Sequence, residues 1–157
     1  MIKNLSEFIS REHLKKAVEG VLITPDKIVA SDSFKLIEIE SGDTGVKKPI
    51  VLKVARYINR FEKVVVMDGE HFVKDGDSFH KGKLVEEKFP DYEVLIPKSE
   101  PVFTIKLSPL HLKEICTAFE DKVYIKMEFH SESKPVVFTE NTGSLRALLM
   151  PINPDTK

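Results

Sequence analysis

Basic side chains are concentrated in one short segment of the sequence. Between Lys47 and Lys63 there are six basic residues and one acidic residue, Glu62, so this segment carries a charge of +5. The whole chain has a net charge of -1, so the remainder sums to -6. A basic element on a mildly acidic protein favours contact between one face and a polyanion. The alternative is a solvated helix face with no partner.

The spacing of Lys53, Arg56 and Arg60 predicts a common face for their side chains. At i, i+3 and i+7 of a helix they lie within about 60° of one another. The opposite side of that helix would carry Val54, Ile58 and Phe61. Arg11 and Lys15, at i and i+4, repeat the arrangement in the first predicted helix. Such residues would contact phosphates without reading bases.

No group of residues indicates an enzyme or a metal site. The five histidines are scattered without metal-ligand spacing, and Cys116 is the single cysteine. The sequence has no glycine-rich phosphate loop and no evident arrangement of a nucleophile with a histidine and an acid. We therefore expect no catalysis, no metal and no cofactor.

The composition is that of a soluble globular protein. Of the 157 residues, 41% are hydrophobic and 31% are charged. A single cysteine excludes an intrachain disulfide and fits a reducing compartment. No apolar run approaches the roughly 20 residues of a membrane span, and the amino terminus lacks the apolar region of a signal peptide. We expect a cytoplasmic protein.

Hydrophobic periodicity predicts three repeats of a helix followed by antiparallel strands, about 40 to 55 residues apart. The predicted helices cover residues 6–18, 53–61 and 108–119, the last with Ser108 as N-cap and Pro109 in its first turn. The predicted strands cover residues 21–24, 28–31, 34–40, 49–52, 64–67, 71–73, 79–85, 102–107, 123–129, 135–139 and 145–150. Asp68-Gly69 and Asp75-Gly76 predict hairpin turns. The fold class predicted is α+β, with helices on one face of the sheets.

Three stretches resemble, in the same order, stretches of the bacterial DNA polymerase sliding clamp (beta clamp) family. Residues 28–36 (IVASDSFKL) resemble the family's VATDGHRL, and residues 148–152 (LLMPI) resemble its carboxyl-terminal VVMPM. Residues 79–97 resemble LVDGRFPDYRRVLP, and the FPDY motif at 89–92 carries most of the signal. The sequence departs from the family at 33–35, where Ser-Phe-Lys stands in place of Gly-His-Arg.

The resemblance covers about one and a half clamp domains. Residues 1–97 resemble one full domain made of two helix-plus-strands halves. Residues 98–157 resemble an additional half-domain with a carboxyl-terminal tail. The resemblance implies a non-enzymatic processivity factor that encircles DNA and tethers polymerase or repair proteins to it. A non-ring interaction protein, acting as a regulator or decoy of replication partners, is the alternative; an enzyme of unrecognised type is the weakest.

The resemblance also implies two kinds of site. Helices that line a clamp ring face double-stranded DNA, a role that falls here to Arg11, Lys15, Lys53, Arg56 and Arg60. A pocket for clamp-binding peptides carries over residue by residue to Ser31, Phe34, Lys35, Leu36, Pro97, Leu148, Met150 and Pro151. Leucine, methionine and proline form an adaptable apolar groove. The alternative is that the leucines and methionine are ordinary strand core.

The number of repeats implies an assembly. A family ring has six domains, hence twelve halves, whereas this chain supplies three. Four copies would supply twelve, joined by head-to-tail contacts between edge strands. We predict a homo-oligomer, either a tetrameric ring or, as the alternative, a dimer.

Overall fold

The computed structural model describes residues 5–10, 16–54 and 61–152. The chain divides into two compact units, Met1–Ile96 and Pro97–Lys157. In the described parts of the chain, the first unit contains two antiparallel sheets and the second contains one. Strands predominate over helices, so the α+β class is confirmed with most of its regular structure in strands.

The described residues of the first unit form eight strands. They are β1 (Val21–Ile23), β2 (Lys27–Ser31), β3 (Leu36–Glu40), β4 (Ile50–Lys53), β5 (Lys63–Met67), β6 (Glu70–Asp75), β7 (Ser78–Lys81) and β8 (Lys83–Val85). Five strands form one sheet in the order β3-β2-β1-β4-β8, and the other three form a meander in the order β5-β6-β7.

The central strands of the five-stranded sheet are buried on both faces. Successive residues of a strand point to opposite faces, and β2 has apolar residues at three successive positions. Ile28 and Ala30 join a cluster that also contains Val64 and Val73 of the meander, so this cluster lies between the two sheets. Val29 points the other way, into a second cluster. Burial of both faces explains why β2 reads as a continuous apolar run.

The meander confirms the Asp-Gly turn signals, with one shift. Asp68 and Gly69 join β5 to β6 and both have positive φ, 51° and 78°, as a two-residue hairpin turn of this type requires. Asp75 is the last residue of β6 instead of the first turn residue. The second turn is made by Gly76 and Asp77, and Gly76 has a φ of 61°.

Two connections fasten the sheets of the first unit together. The backbone N–H of Val64 donates to the carbonyl of Thr44 at 2.7 Å, and the Thr44 hydroxyl donates to the carbonyl of Thr24. Gly45, the next residue, has a φ of 82°. Between β7 and β8 the chain passes from one sheet to the other at Gly82, whose N–H donates to the carbonyl of His71 at 2.8 Å.

The first predicted helix, 6–18, is wrong as a continuous helix. The chain forms a 3-10 turn at Leu5–Phe8 and another at Lys16–Glu19, with non-helical backbone at residues 9–10. The N–H of Ser10 donates to the carbonyl of Val18 at 3.0 Å, so the backbone turns back on itself. Leu5 and Ile9 have helical spacing, but the backbone is not helical at Ile9. Both side chains are buried in the cluster between the two sheets.

The second unit contains one helix and a three-stranded sheet in its described part. The helix α1 (Pro109–Ala118) begins as predicted, since the Ser108 hydroxyl oxygen accepts from the N–H of His111 at 3.4 Å. The strands are β9 (Lys126–Glu128), β10 (Val136–Thr139) and β11 (Arg146–Leu149), in the order β11-β10-β9. Leu112, Ile115 and Phe119 pack with Phe138 in the core.

The strand predicted at 102–107 is wrong, because these residues have no strand assignment. They form an extended connection whose Lys106 carbonyl accepts from the N–H of Ile152 at 2.8 Å. The apolar alternation of Ile105 and Leu107 reflects their packing on the core of this unit. A single hydrogen bond to the segment after β11 is insufficient for a ladder.

The turn between β10 and β11 is organised by one buried carboxylate. Glu140 accepts hydrogen bonds from the N–H groups of Thr142 at 2.7 Å and Ser144 at 2.8 Å, and from both hydroxyls. The Thr142 hydroxyl, followed by these other donors, lowers the pKa of Glu140 to about 2. Gly143 completes the turn with a φ of 71°.

Candidate DNA-facing and peptide-binding surfaces

Lys53 is the one predicted DNA contact that lies in the described part of the chain. The prediction of a helix at this residue is wrong: Lys53 is the last residue of β4 and is paired opposite Lys83 of β8. Its ammonium group binds the carboxylate of Glu19, a residue that is only 8% exposed. A buried carboxylate is stabilised by a cation, so Lys53 neutralises Glu19. The helical spacing of Lys53, Arg56 and Arg60 is therefore no argument that the Lys53 side chain shares a face with the two arginines.

Arg11, Lys15, Arg56 and Arg60 lie outside the described residues, and their place on a DNA-facing surface stays a prediction. Lysines in the described part near Lys53 line two adjacent clefts of about 590 Å³ and 490 Å³. The first contains Lys16, Lys53 and Lys83 together with Glu19, Glu86 and Glu87. Because cations and carboxylates are equal in number there, this cleft has no excess charge for a polyanion.

Of the eight residues predicted for the peptide pocket, four lie in the first unit, in the turn from β2 to β3. The carboxylate of Asp32 accepts from the N–H groups of Phe34 at 3.0 Å and Lys35 at 2.9 Å. These two backbone donors, Lys35 first, lower the pKa of Asp32. The Ser31 hydroxyl donates to the carbonyl of Lys35 at 3.0 Å. The turn is thus fixed by local hydrogen bonds.

This turn presents an aromatic side chain to solvent. Phe34 is 92% exposed, whereas Leu36 packs against the buried cluster on the outer face of the five-stranded sheet. The Lys35 ammonium lies 5.6 Å from the centre of the Phe8 ring and 3.2 Å from Asp32. Ser33 has a φ of 77°, a left-handed conformation that is uncommon for a residue other than glycine.

The other four pocket residues lie in the second unit. Leu148 and Met150 are 60% and 62% exposed, while Leu149 between them is buried. This alternation is that of a strand with one face on the core. Pro97 is exposed and Pro151 is half-buried. Leu148 and Met150 are therefore available to a partner, and neither is core of this unit.

A cleft that the sequence did not predict lies between α1 and β11. It has a volume of about 370 Å³, and Leu148 forms part of its wall. The helix contributes His111, Glu114, Ile115 and Ala118. Their spacing of i, i+3, i+4 and i+7 is one face of a helix, a signal that could have found them once α1 was placed against β11. The Nδ1 atom of His111 lies 3.0 Å from the Glu114 carboxylate.

The FPDY motif at 89–92 has a structural role in the first unit. Phe89 and Tyr92 are buried against Val29 and the other residues of the outer-face cluster. The Tyr92 hydroxyl donates to the carboxylate of Glu38, whose other oxygen lies 3.2 Å from the Lys27 ammonium. Burial, and then the Glu38 carboxylate, raise the pKa of Tyr92, while the Tyr92 and Lys27 hydrogen bonds lower that of Glu38. The motif thus anchors residues 89–92 to the outer face of the five-stranded sheet.

The described residues contain no group of three or more His, Cys, Asp or Glu side chains that could hold a metal ion. Within the same ranges, no helix is long and apolar enough to cross a membrane.

Comparisons with known proteins find similarity in structure alone. No protein-family model and no curated protein matches the sequence. The DNA polymerase III beta chain of Streptococcus pneumoniae TIGR4 is similar over 96% of this chain, with a TM-score of 0.67 and 14% identity. A DNA polymerase sliding clamp from Pseudomonas aeruginosa matches over 94% of this chain and 62% of its own, with 12% identity and a TM-score of 0.42, too low to support an inference.

The resemblance to the sliding clamp is therefore confirmed as a similarity of fold. The chain spans 46% of the length of the Streptococcus beta chain. At 14% identity the similarity establishes the fold alone.

Proposed function

We propose that this chain is a sliding-clamp-like, non-enzymatic factor that encircles double-stranded DNA and tethers polymerase or repair proteins to it. The observation that carries the proposal is the fold shared with a polymerase III beta chain over 96% of the chain. Since the chain spans 46% of that protein, a ring needs several copies. The proposed assembly is a homo-oligomer, a tetrameric ring or a dimer.

The DNA contact is tested by removing two of the arginines that are predicted to face DNA. Arg56→Ala with Arg60→Ala should weaken binding to duplex DNA and flatten its dependence on salt. Each lost phosphate contact reduces the slope of log K against log salt by about 0.9. Lys53 is left intact because it neutralises the buried carboxylate of Glu19, and its replacement would also destabilise the fold. Affinity is measured by fluorescence anisotropy between low and physiological salt.

A matched control carries the same change of charge elsewhere. Lys98→Ala with Lys134→Ala removes two exposed lysines of the second unit and should leave the salt slope unchanged. Equal slopes for the two double variants would contradict a DNA-facing role for Arg56 and Arg60.

The peptide contact is tested at two exposed apolar side chains, one on each unit. A short peptide rich in Gln, Leu and Phe should bind with a Kd on the order of micromolar. Phe34→Ala and Leu148→Asp should each weaken binding about 5- to 30-fold, because loss of an exposed apolar anchor costs about 1–2 kcal/mol. Titrations monitored by NMR would measure the affinity and identify the shifted residues.

Leu110→Asp is the matched control for the second unit. Leu110 is as exposed as Leu148 but lies outside the cleft between α1 and β11. Leu36→Asp is a poor test, since Leu36 packs on a buried cluster and its replacement would also destabilise the fold. Peptide binding equally weakened by Leu110→Asp and Leu148→Asp would show that the peptide site lies elsewhere.

A non-ring interaction protein is the second candidate, and one observation favours it. Several described lysines are engaged by carboxylates: for example, Lys53 binds Glu19, and Lys81 lies 2.5 Å from Glu70. A protein that binds replication partners without encircling DNA needs no basic channel. Retention on nicked circular DNA, lost on linearisation, would favour the ring; equal retention on both forms would favour this second candidate.

A further inference from the structure

One edge of the sheet in the second unit is open. In the order β11-β10-β9, both outer strands have a free side among the described residues. The segment after β11 is less able to extend that edge, because Pro151 lacks an N–H and the N–H of Ile152 already donates to the carbonyl of Lys106. No strand of the described chain pairs with the free side of β9. An unprotected edge presents unpaired N–H and C=O groups to another strand.

The sequence of β9 is complementary to itself. It reads Lys126-Met127-Glu128, a cation and an anion placed symmetrically about a methionine. Two copies paired antiparallel about Met127 would place Lys126 of each opposite Glu128 of the other. Opposite charges across an antiparallel pair stabilise it, whereas like charges destabilise it. In the single chain the Lys126 ammonium lies 2.5 Å from the Glu128 carboxylate. Pairing of two copies would replace the contact within each chain by two Lys126–Glu128 contacts between the chains.

The other face of β9 is apolar and incompletely covered. Met127 is aligned with Phe138 of the core, yet Met127 and Phe129 are 42% and 44% exposed. Ile125, two residues before Met127, packs against the same core. Antiparallel pairing about Met127 would place Ile125 opposite Phe129 of the second copy, and Met127 opposite its equivalent. The joined sheets would share one continuous apolar row.

We propose that β9 pairs with β9 of a second copy of this chain about a two-fold axis at Met127, forming a six-stranded sheet from two second units. A two-fold contact buries the same patch on both copies, which is what the symmetric charges of β9 provide. The edge strand β3 of the first unit differs, because its central residue, Glu38, would meet its own equivalent. This contact goes beyond the proposed function and does not require binding to DNA.

The proposal is tested with charge variants that repel themselves and attract each other. K126E makes both outward positions of β9 acidic, and E128K makes both basic. Each variant alone should have half the assembly mass of the wild type by light scattering at about 100 µM, as mass action requires. An equimolar mixture should restore the wild-type mass, because the opposite charges then meet between copies. A role confined to one chain predicts no recovery on mixing.

A cysteine at the axis provides a second readout. Residues directly opposite in an antiparallel pair have Cα atoms about 4.5–5.5 Å apart, within reach of a disulfide. In a C116S background, M127C should form a disulfide-linked dimer under mild oxidation, while V123C, four residues from the axis, should not. A monomeric wild type at about 100 µM, masses unchanged by K126E and E128K, or equal cross-linking at both positions would overturn the proposal.

Discussion

Gly45→Ala is expected to lower the free energy of unfolding of the first unit by about 3–5 kcal/mol. A Cβ at this position would lie 2.1 Å from the backbone carbonyl oxygen of Val64, a contact that no side-chain rearrangement can relieve. The φ of 82° adds the strain that any residue with a Cβ suffers in this region. The loop would have to move, which breaks the hydrogen bond from Val64 to Thr44.

Gly42→Ala provides a control in the same loop. Gly42 also has positive φ, 66°, but a Cβ there would meet nothing within 4 Å. Its replacement should therefore cost only the conformational strain, about 1 kcal/mol. Urea denaturation followed by circular dichroism gives both values. Equal destabilisation by the two substitutions would contradict the close approach of Gly45 to β5.

Phe89→Ala is expected to destabilise the first unit by about 3–5 kcal/mol, the range for a buried phenylalanine. The ring is buried on the outer face of the five-stranded sheet with Val18, Val29 and Val51. Its loss would leave a cavity beside Tyr92 and weaken the hold of the motif on the sheet. The effect should appear in the unfolding midpoint, and peptide affinity measured well below that midpoint should be little changed.

Phe34→Ala is the matched substitution, because it removes the same side chain from a fully solvated position. The free energy of unfolding should change by less than about 0.5 kcal/mol, as is usual for surface substitutions, while the affinity for the peptide falls. The two phenylalanines thus separate folding from recognition. If Phe89→Ala left stability intact, the structural role assigned to the FPDY motif would be wrong.

Features decided by local chemistry could be predicted from the sequence. Asp68-Gly69 specifies a hairpin turn by itself, because both residues tolerate the positive φ that the turn needs. Ser108 and Pro109 mark the start of α1 for equally local reasons. Most apolar strands were located to within a few residues, since the alternation of side chains reports which face is buried. The strand predicted at 102–107 does not form, and the one predicted at 79–85 is divided between two sheets.

Features decided by distant contacts could not be predicted. The apolar spacing within residues 6–18 suits a helix, but the Ser10–Val18 hydrogen bond and burial of Ile9 in the cluster between the sheets favour a different backbone. The sequence pattern predicts Lys53 in the first turn of a basic helix, yet pairing of β4 with β8 extends the strand to include it. Helical and strand periods are hard to separate over so few residues.

The candidate peptide surface was predictable only in part. A sequence shows that Leu148 and Leu149 point in opposite directions, but not which of them faces the core. The resemblance assigns Leu36 to the peptide pocket, and the structure packs it on a buried cluster. The cleft beside Leu148 depends on how α1 lies against β11, a tertiary arrangement that no local pattern records.

The passage of the chain between sheets at Gly82 has a consequence for the order of folding. The three strands of the meander are joined by two-residue turns, so they close small loops and can form rapidly. β8 follows them and pairs with β4, which lies some thirty residues earlier. The five-stranded sheet therefore stays incomplete during synthesis until the whole meander has emerged. Until then β4 has an exposed edge, and the nascent chain is most prone to mispairing in this interval.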